Sequence, residues 1–335
     1  MQADASRDQV GRVVDRVRAM GLEAELTRDA DRAVVGLSGT GTEEDLAALG
    51  ELEGVERVVR VLQDLPLASR DFHPEDRVVD LPGGVRLGGS QLVVMAGPCA
   101  VEGRGQLWDA AEAVAAQGVR VLRGGAFKPR TSPYSFQGLG EPGLKLLRQA
   151  ADEFGLAVVT EVVAPEDVEL VAGYADLLQV GSRNMQNYRL LEACAGVERP
   201  VLLKRGMSST LMEWLQAAEY VLAGGNPKVV LCERGIRGFE PMVRFSLDIT
   251  SVPVLKRLTS LPVVVDPSHA AGQRGYVRAI GLAAVAAGAD GLLVEVHPRP
   301  SEALSDGAQS LDPEAFAEMM AAARKVAEAV GRGLS

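Results

Sequence analysis

From residue 91 onward, short apolar runs alternate with segments of helical spacing. The runs predict strands at 92–96, 119–123, 157–161, 177–180, 201–204, 229–233, 263–266 and 291–296. The helical segments fall near 105–117, 142–154, 165–173, 188–195, 210–223, 249–258, 276–287 and 313–330. Runs such as Val-Val-Leu-Cys at 229–232 are apolar without alternation, as strands buried on both faces must be. Eight such units favour an α/β fold closed into a parallel (β/α)8 TIM barrel. An open doubly wound sheet would place Gly-x-Gly-x-x-Gly after its first strand. This chain has Ala-Gly-Pro-Cys there. Its 335 residues hold one barrel of about 250 residues and a small extra domain.

The ends of the runs carry the chemistry. At or just past them stand Cys99, Arg123, Glu161, Gln179 with Ser182 and Arg183, Lys204, Arg234, Asp266 with His269, and Glu295. In a barrel those ends open on one face, which is where active sites form. Any one of these residues alone could simply solvate a loop. A polar group at the end of every strand is hard to reconcile with charge placed at random.

Two subsets stand out. Arg123, Lys128, Arg183, Lys204 and Arg234 come from five strands and should converge. Converging cations repel one another unless an anion lies among them, and phosphate and carboxylate suit them. Only six of the 35 basic residues are lysines, and two of the six fall here. The second subset is Cys99, His269, Glu295 and Asp306, which follow the first, seventh and eighth strands. In a closed barrel those strands are neighbours. A thiolate, an imidazole and two carboxylates suit a divalent metal such as Mn²⁺, Fe²⁺, Co²⁺ or Zn²⁺. Taken alone, Cys99 reads as a small buried hydrophobe and His269 as a turn residue. Topology, not local spacing, makes the set. His297, two residues past Glu295, reads as a support for that set, and His73 as structural.

Residues 1–65 form a separate module. Helical spacing at 9–20, strands at 22–27 and 33–37, a helix from an N-cap at Thr42 through 49, and a strand at 55–62 give the order αββαβ. This is a small α+β ferredoxin-like unit whose first strand is short or missing, since only the polar residues 1–5 could supply it. Residues 66–90 read as a connector with a small hairpin, 78–81 and 85–87, around Pro82-Gly83-Gly84. Residues 91–335 are the barrel.

Composition excludes several classes. A net charge of −10 argues against a general nucleic-acid binder. No apolar run reaches the roughly 18 residues that cross a bilayer, and no signal peptide opens the chain. Three cysteines make no disulfide framework, so the expected compartment is the reducing cytoplasm.

At the strand ends the motifs are specific. They are Ala-Gly-Pro-Cys-Ala-Val-Glu at 96–102, Leu-Arg-Gly-Gly-Ala-Phe-Lys-Pro-Arg-Thr-Ser-Pro at 122–133, and Gln-Val-Gly-Ser-Arg-Asn-Met-Gln-Asn at 179–187. Leu-Leu-Lys-Arg-Gly at 202–206, Leu-Cys-Glu-Arg-Gly-Ile-Arg at 231–237 and Val-Asp-Pro-Ser-His at 265–269 follow. Val-Glu-Val-His-Pro at 294–298 and Leu-Ser-Asp-Gly-Ala-Gln-Ser-Leu at 304–311 complete the set. In these motifs the chain resembles the 3-deoxy-D-arabino-heptulosonate-7-phosphate (DAHP) synthases of the type Iβ group, including forms with an N-terminal ferredoxin-like domain.

The resemblance implies condensation of phosphoenolpyruvate with erythrose 4-phosphate, the entry to aromatic amino-acid synthesis through the shikimate pathway. It implies that Cys99, His269, Glu295 and Asp306 hold the metal. It assigns Arg123, Lys128, Glu161, Ser182, Arg183, Lys204 and Arg234 to phosphoenolpyruvate, and Arg130 and Thr131 to the aldose phosphate. Lys128, Cys99, His269 and Asp306 would be the catalytic residues, with Lys128 placed to give a proton to the forming alkoxide. It also implies a homotetramer, and tyrosine or phenylalanine as effector of residues 1–65. The missing first strand puts the effector in doubt. Two rivals are a synthase of 3-deoxy-D-manno-octulosonate 8-phosphate and a non-catalytic sensor of aromatic amino acids. A third, a metal-dependent lyase, would not need so many phosphate-binding cations.

Overall fold

The computed structural model describes residues 1–29, 32–38, 42–58, 65–129 and 132–334. The chain divides into two compact units, Met1–Pro74 and Glu75–Ser335.

In the first unit, helix Arg7–Ala19 starts at a capping box, with Ser6 and Gln9 satisfying each other's backbone N–H groups. Its buried stripe is Val10, Val13 and Val17. Strands Glu23–Asp29 and Arg32–Ser38 pair antiparallel. Helix Glu43–Gly50 starts at a second capping box, between Thr42 and Asp45. Val13, Val17, Leu22 and Leu49 form the core. Residues 1–5 contain no strand, although the Met1 amino group donates to the Ala33 carbonyl at 3.0 Å. The strand expected over 55–62 is absent at 55–58, and 59–62 lie outside the described residues.

The second unit is the expected barrel. Its strands are β1 Gln91–Gly97, β2 Val121–Arg123, β3 Ala157–Val162, β4 Leu177–Val180, β5 Val201–Lys204, β6 Val229–Glu233, β7 Val263–Val265 and β8 Gly291–Glu295. Each pairs in parallel with the next. The sheet closes where β8 meets β1, in a register running from Gly291 opposite Val93 to Glu295 opposite Gly97. On its other side Gly97 lets β2 come close: its φ is +149°, and a Cβ there would strike the Arg123 carbonyl.

Several element ends shift by one or two residues, β2 starting at Val121 rather than 119 and β8 ending at Glu295 rather than 296; two differences have a plain cause. The helix over 165–173 splits into a 3₁₀ turn, Pro165–Asp167, and a single α-helical piece, Val168–Ala172. Strand β7 ends one residue early, because Asp266 leaves it to cap the short helix Pro267–Ala271.

A hairpin stoppers the other end of the barrel. Strands Val79–Leu81 and Val85–Leu87 pair antiparallel, with Gly83 and Gly84 in the turn at φ +75° and +76°. Strict alternation leaves Asp80 and Arg86 outside and turns Val79, Leu81, Val85 and Leu87 inward. These four share one core with inward residues near the strand starts, including Val93, Met95, Val159, Leu177, Val230 and Leu293. No helix among the described residues is long and apolar enough to cross a membrane.

Leu87 is fully buried in that stopper. Leu87→Ala should therefore destabilise the barrel by about 2–5 kcal/mol, the usual cost of a cavity this size. Urea unfolding followed by far-UV circular dichroism reads it, and an unchanged midpoint would show that the hairpin does not seal the core.

Candidate active site

The strand ends converge on one cavity of about 310 Å³. Its wall includes Cys99, Arg123, Lys128, Glu161, Gln179, Ser182, Arg183, Lys204, Arg234, His269 and Asp306. Every described residue of the expected set is on that wall except Glu295, which lies just behind it with 1% of its surface exposed. Arg130 and Thr131 lie outside the described residues.

The loop after β1 supplies Cys99. Its Sγ lies 3.1 Å from Ser305 Oγ and 3.4 Å from Asp306 Oδ2, and Lys128 Nζ donates to it at 3.3 Å. Burial, helped by the Glu295 carboxylate, pushes the thiol up to about 11, so it is protonated at neutral pH. His269 stands on the short helix that Asp266 caps. Its backbone N–H donates to Asp266 Oδ1 at 2.9 Å, and its Nδ1 lies 2.6 Å from Asp266 Oδ2. Burial holds the imidazole below its usual range, which makes the neutral ring the folded form. Its one proton then sits on Nδ1, facing Asp266, and the bare Nε2 faces the cluster.

There Nε2 meets acceptors only. Glu295 Oε1 is 3.3 Å away and Asp306 Oδ2 is 3.8 Å away. One donor atom from each of Cys99, His269, Glu295 and Asp306 lies within 4.8 Å of all the others. Lone pairs directed at one another need a cation between them. The donor set and the Asp266-oriented imidazole fit a divalent metal. Asp306 reaches the cluster from a left-handed backbone conformation, φ +54°, the only such non-glycine residue among those described. Asp tolerates that region better than most residues do.

Cations line the same cavity and reach into that cluster, Lys128 at Cys99 and Arg123 at Glu295. Arg123, Lys128, Arg183, Lys204, Arg234 and Arg244 line the cavity against two carboxylates, Glu161 and Asp306. Arg123 is buried and gives its NH1 to Glu295 Oε1 at 3.0 Å and to the Pro98 carbonyl at 2.8 Å. Its Nε is buried without a hydrogen-bond partner, as is Ser182 Oγ. Arg234 lies over the Phe245 ring at 4.1 Å. Burial pushes its guanidinium down from the usual value, the mark of a cation short of counter-charge. Lys204 Nζ donates to Asp266 Oδ2 at 2.6 Å, so one carboxylate oxygen serves both a wall lysine and the His269 ring. An anion-shaped deficit therefore sits beside a cation-shaped one.

Several contributors were not assigned from sequence. Asp266 was noted at a strand end, but its double role appears only in space. Gln309 donates to Glu295 Oε2 at 2.6 Å, and Arg244 reaches Asp306 and Gln309. Arg244 lies in the long loop after β6, where no strand end marks it. His297 reaches the metal set indirectly, through Glu102 rather than through Glu295. Its Nε2 faces Glu102 Oε2 at 3.4 Å, and Glu102 also accepts from Leu304 N–H at 2.8 Å, which ties down the loop that carries Asp306. Arg205, next to Lys204, turns away to Glu233 and Asp248, at 2.8 and 2.9 Å.

Comparison with known proteins agrees with this geometry. The model of the DAHP synthetase I family matches residues 75–331, and that of the DAHP synthase ferredoxin-like domain matches residues 1–63. The chain belongs to the DAHP synthetase I family. It is 47% identical over 331 residues to the phospho-2-dehydro-3-deoxyheptonate aldolase of Thermotoga maritima, covering 99% of this chain and 98% of that one. A crystal structure of the Thermotoga maritima DAHP synthase superposes with a TM-score of 0.81 at 46% identity, covering 100% of this chain and 98% of the other. Similarity also extends, at lower identity and over part of the chain, to a second kind of aldolase. A 2-dehydro-3-deoxyphosphooctonate aldolase of Acidithiobacillus ferrooxidans is 34% identical over 233 residues, 64% of this chain and 82% of that protein.

Acid should dismantle the site in a defined order. His269 is held below its ordinary 6.5, so the unfolded chain takes up its proton first and stability falls as pH drops below 6.5. Burial opposes the Asp266 charge, but His269 and Lys204 outweigh it and hold the carboxyl well below 3.8. Its contribution is complete above 3.8 and is lost as pH falls from there through the folded value. The urea midpoints of the metal-free parent and of Asp266→Asn should thus differ most at neutral pH and converge below pH 3.8. A constant difference down to pH 3 would contradict the assignment.

Proposed function

We propose that this chain condenses phosphoenolpyruvate with erythrose 4-phosphate, giving DAHP and inorganic phosphate, the first committed step of the shikimate pathway. The observation that carries this is the pairing of an under-neutralised cationic wall with a four-donor metal cluster in one barrel mouth. Full-length similarity to a DAHP aldolase at 47% identity, against 34% over part of the chain for an octulosonate enzyme, supports the four-carbon aldose.

In this reading Arg123, Arg183, Lys204 and Arg234 take the carboxylate and phosphate of phosphoenolpyruvate, with Ser182 Oγ as a further donor and Glu161 on the same wall. Arg130 and Thr131 take the phosphate of the aldose. Cys99, His269, Glu295 and Asp306 would hold a divalent ion, Mn²⁺, Fe²⁺, Co²⁺ or Zn²⁺. Bound there, such an ion supplies Lewis acidity to a substrate oxygen. Loading it displaces the Cys99 thiol proton, so metal uptake is tied to pH.

The chain's own residues do the rest. The cationic wall orients the enol phosphate so that its C3 methylene faces the aldehyde carbon. As the C–C bond forms, the aldehyde oxygen gains charge, and Lys128 Nζ, 3.3 Å from Cys99 Sγ on the cavity wall, donates the proton. Positive charge then develops at C2, where water adds. Breakage of the C2–O bond releases inorganic phosphate, whose charge the arginines already hold. Substrates and products balance as phosphoenolpyruvate, erythrose 4-phosphate and water on one side, DAHP and phosphate on the other. A homotetramer and a tyrosine or phenylalanine effector at the N-terminal unit belong to the same reading.

The deciding assay is phosphate release from phosphoenolpyruvate. It should require erythrose 4-phosphate, fail with arabinose 5-phosphate, cease after dialysis against a chelator and return with Mn²⁺. Repeating it with tyrosine and then phenylalanine reads the effector. Release that prefers arabinose 5-phosphate would reassign the chain to the octulosonate branch. Lys128→Met should lower kcat by roughly 10²–10⁴-fold, the range for a lost general acid, with bound metal unchanged by atomic absorption. A variant of parental activity would remove Lys128 from the mechanism.

A further inference from the structure

Glu295 is gripped at both oxygens, and the two grips differ in kind. Oε1 accepts from Arg123 at 3.0 Å and faces His269 Nε2 at 3.3 Å, inside the donor cluster. Oε2 accepts from Gln309 Nε2 at 2.6 Å. Gln309 is 2% exposed and lies off the cavity wall. Its amide oxygen accepts from Arg244 NH1 at 3.0 Å, and the same NH1 lies 3.4 Å from Asp306 Oδ1. The sense of the amide follows from its neighbours. A carboxylate only accepts and a guanidinium only donates, so nitrogen faces Glu295 and oxygen faces Arg244.

Nothing intrinsic to glutamate would keep Oε1 in place, because the terminal torsion of its carboxylate is soft and roughly two-fold. Without Gln309, the carboxylate could turn either oxygen, or both, toward the cluster, and its buried Oε2 would lose its partner.

We propose that Gln309 is a positioning residue that fixes Glu295 to ligate through Oε1 alone, and that Arg244 locks Gln309 and Asp306 in a common arrangement. Arg244 lines the cavity, so the lock joins the ligand set to the substrate chamber. The inference rests on the metal-site reading above and deepens it. It assigns work to two residues that carry no metal themselves, and it predicts a defect in ion affinity rather than in anion binding.

The test uses the full-length protein stripped of metal. Gln309→Met keeps the side-chain length and removes the donor. Mn²⁺ affinity, measured by competition with a chromophoric chelator, should fall roughly ten- to a hundredfold, the usual effect of losing such a support. With Co²⁺, the thiolate charge-transfer band from Cys99 should persist while the visible ligand-field bands change, since one ligand is disordered rather than lost. Binding of phosphoenolpyruvate to the metal-free variant should match the parent, while its unfolding midpoint falls because the buried Oε2 has lost its donor. Arg244→Met, at a partly exposed position, should weaken Mn²⁺ in the same direction by a smaller factor. Mn²⁺ affinity within twofold of the parent in both variants overturns the proposal. If Gln309→Met does not fold, the Arg244→Met result alone decides, and an unchanged affinity there overturns it. A parent that takes up no Mn²⁺ overturns the metal-site reading and this inference together, whereas a binding parent with unaffected variants overturns this inference alone.

Discussion

The parallel pairing of β8 with β1 is the join on which the site depends. Cys99 and Asp306 are 207 residues apart in sequence, yet their side chains meet. They do so because Glu295 falls opposite Gly97 when the sheet closes. The same closure brings Arg123, at the end of β2, across β1 to the Glu295 carboxylate. An open sheet with the same eight strands would leave the thiol on one edge and the carboxylates on the other. Closure also explains the hairpin at the opposite end, since a barrel open at both mouths would expose the inward residues near the strand starts to water.

Charge is distributed along this scaffold in two distinct ways. Lys204 with Asp266 and Arg205 with Glu233 are buried pairs in which each charge has a close partner. Such pairs hold geometry more than they add stability, because desolvation offsets most of the attraction. The Nε of Arg123 and the Oγ of Ser182 are different. Both are buried without a hydrogen-bond partner, a state that a protein retains where a ligand is to supply the missing one. The imidazole of His269 shows the mirror image, a lone pair surrounded by acceptors. Binding a metal and an anionic substrate would settle both deficits at once.

Much of this was legible from the chain. Strand ends could be read because buried parallel strands are continuous apolar runs, so the first polar residue after each marks the barrel mouth. That logic found Cys99, Arg123, Lys204, Arg234, His269 and Glu295. It had no purchase on Gln309 and Arg244, whose neighbours in sequence do not distinguish them from surface residues. Asp266 sat in view at a strand end, but its part as bridge between Lys204 and His269 depends on a helix start that the apolar pattern of β7 obscured. His297 was read as a support for the metal set from its nearness to Glu295 in sequence; in space it bears on that set through Glu102 and the loop that carries Asp306. In the N-terminal unit the N-cap at Thr42 was a strong local signal, whereas the capping box at Ser6 went unread and the first helix starts at Arg7 rather than at 9. The final strand was predicted on β-propensity alone, and 55–58 does not form one.

Asp306 has a bearing on how such a site could change. Its backbone lies in the left-handed region, which glycine, asparagine, aspartate and histidine tolerate better than other residues. A cysteine introduced there would have to carry conformational strain as well as a new ligand atom. One corner of the cluster is thus closed to a thiolate by the main chain rather than by chemistry. Redesign toward a softer ion by adding a thiolate has to proceed through the other corners.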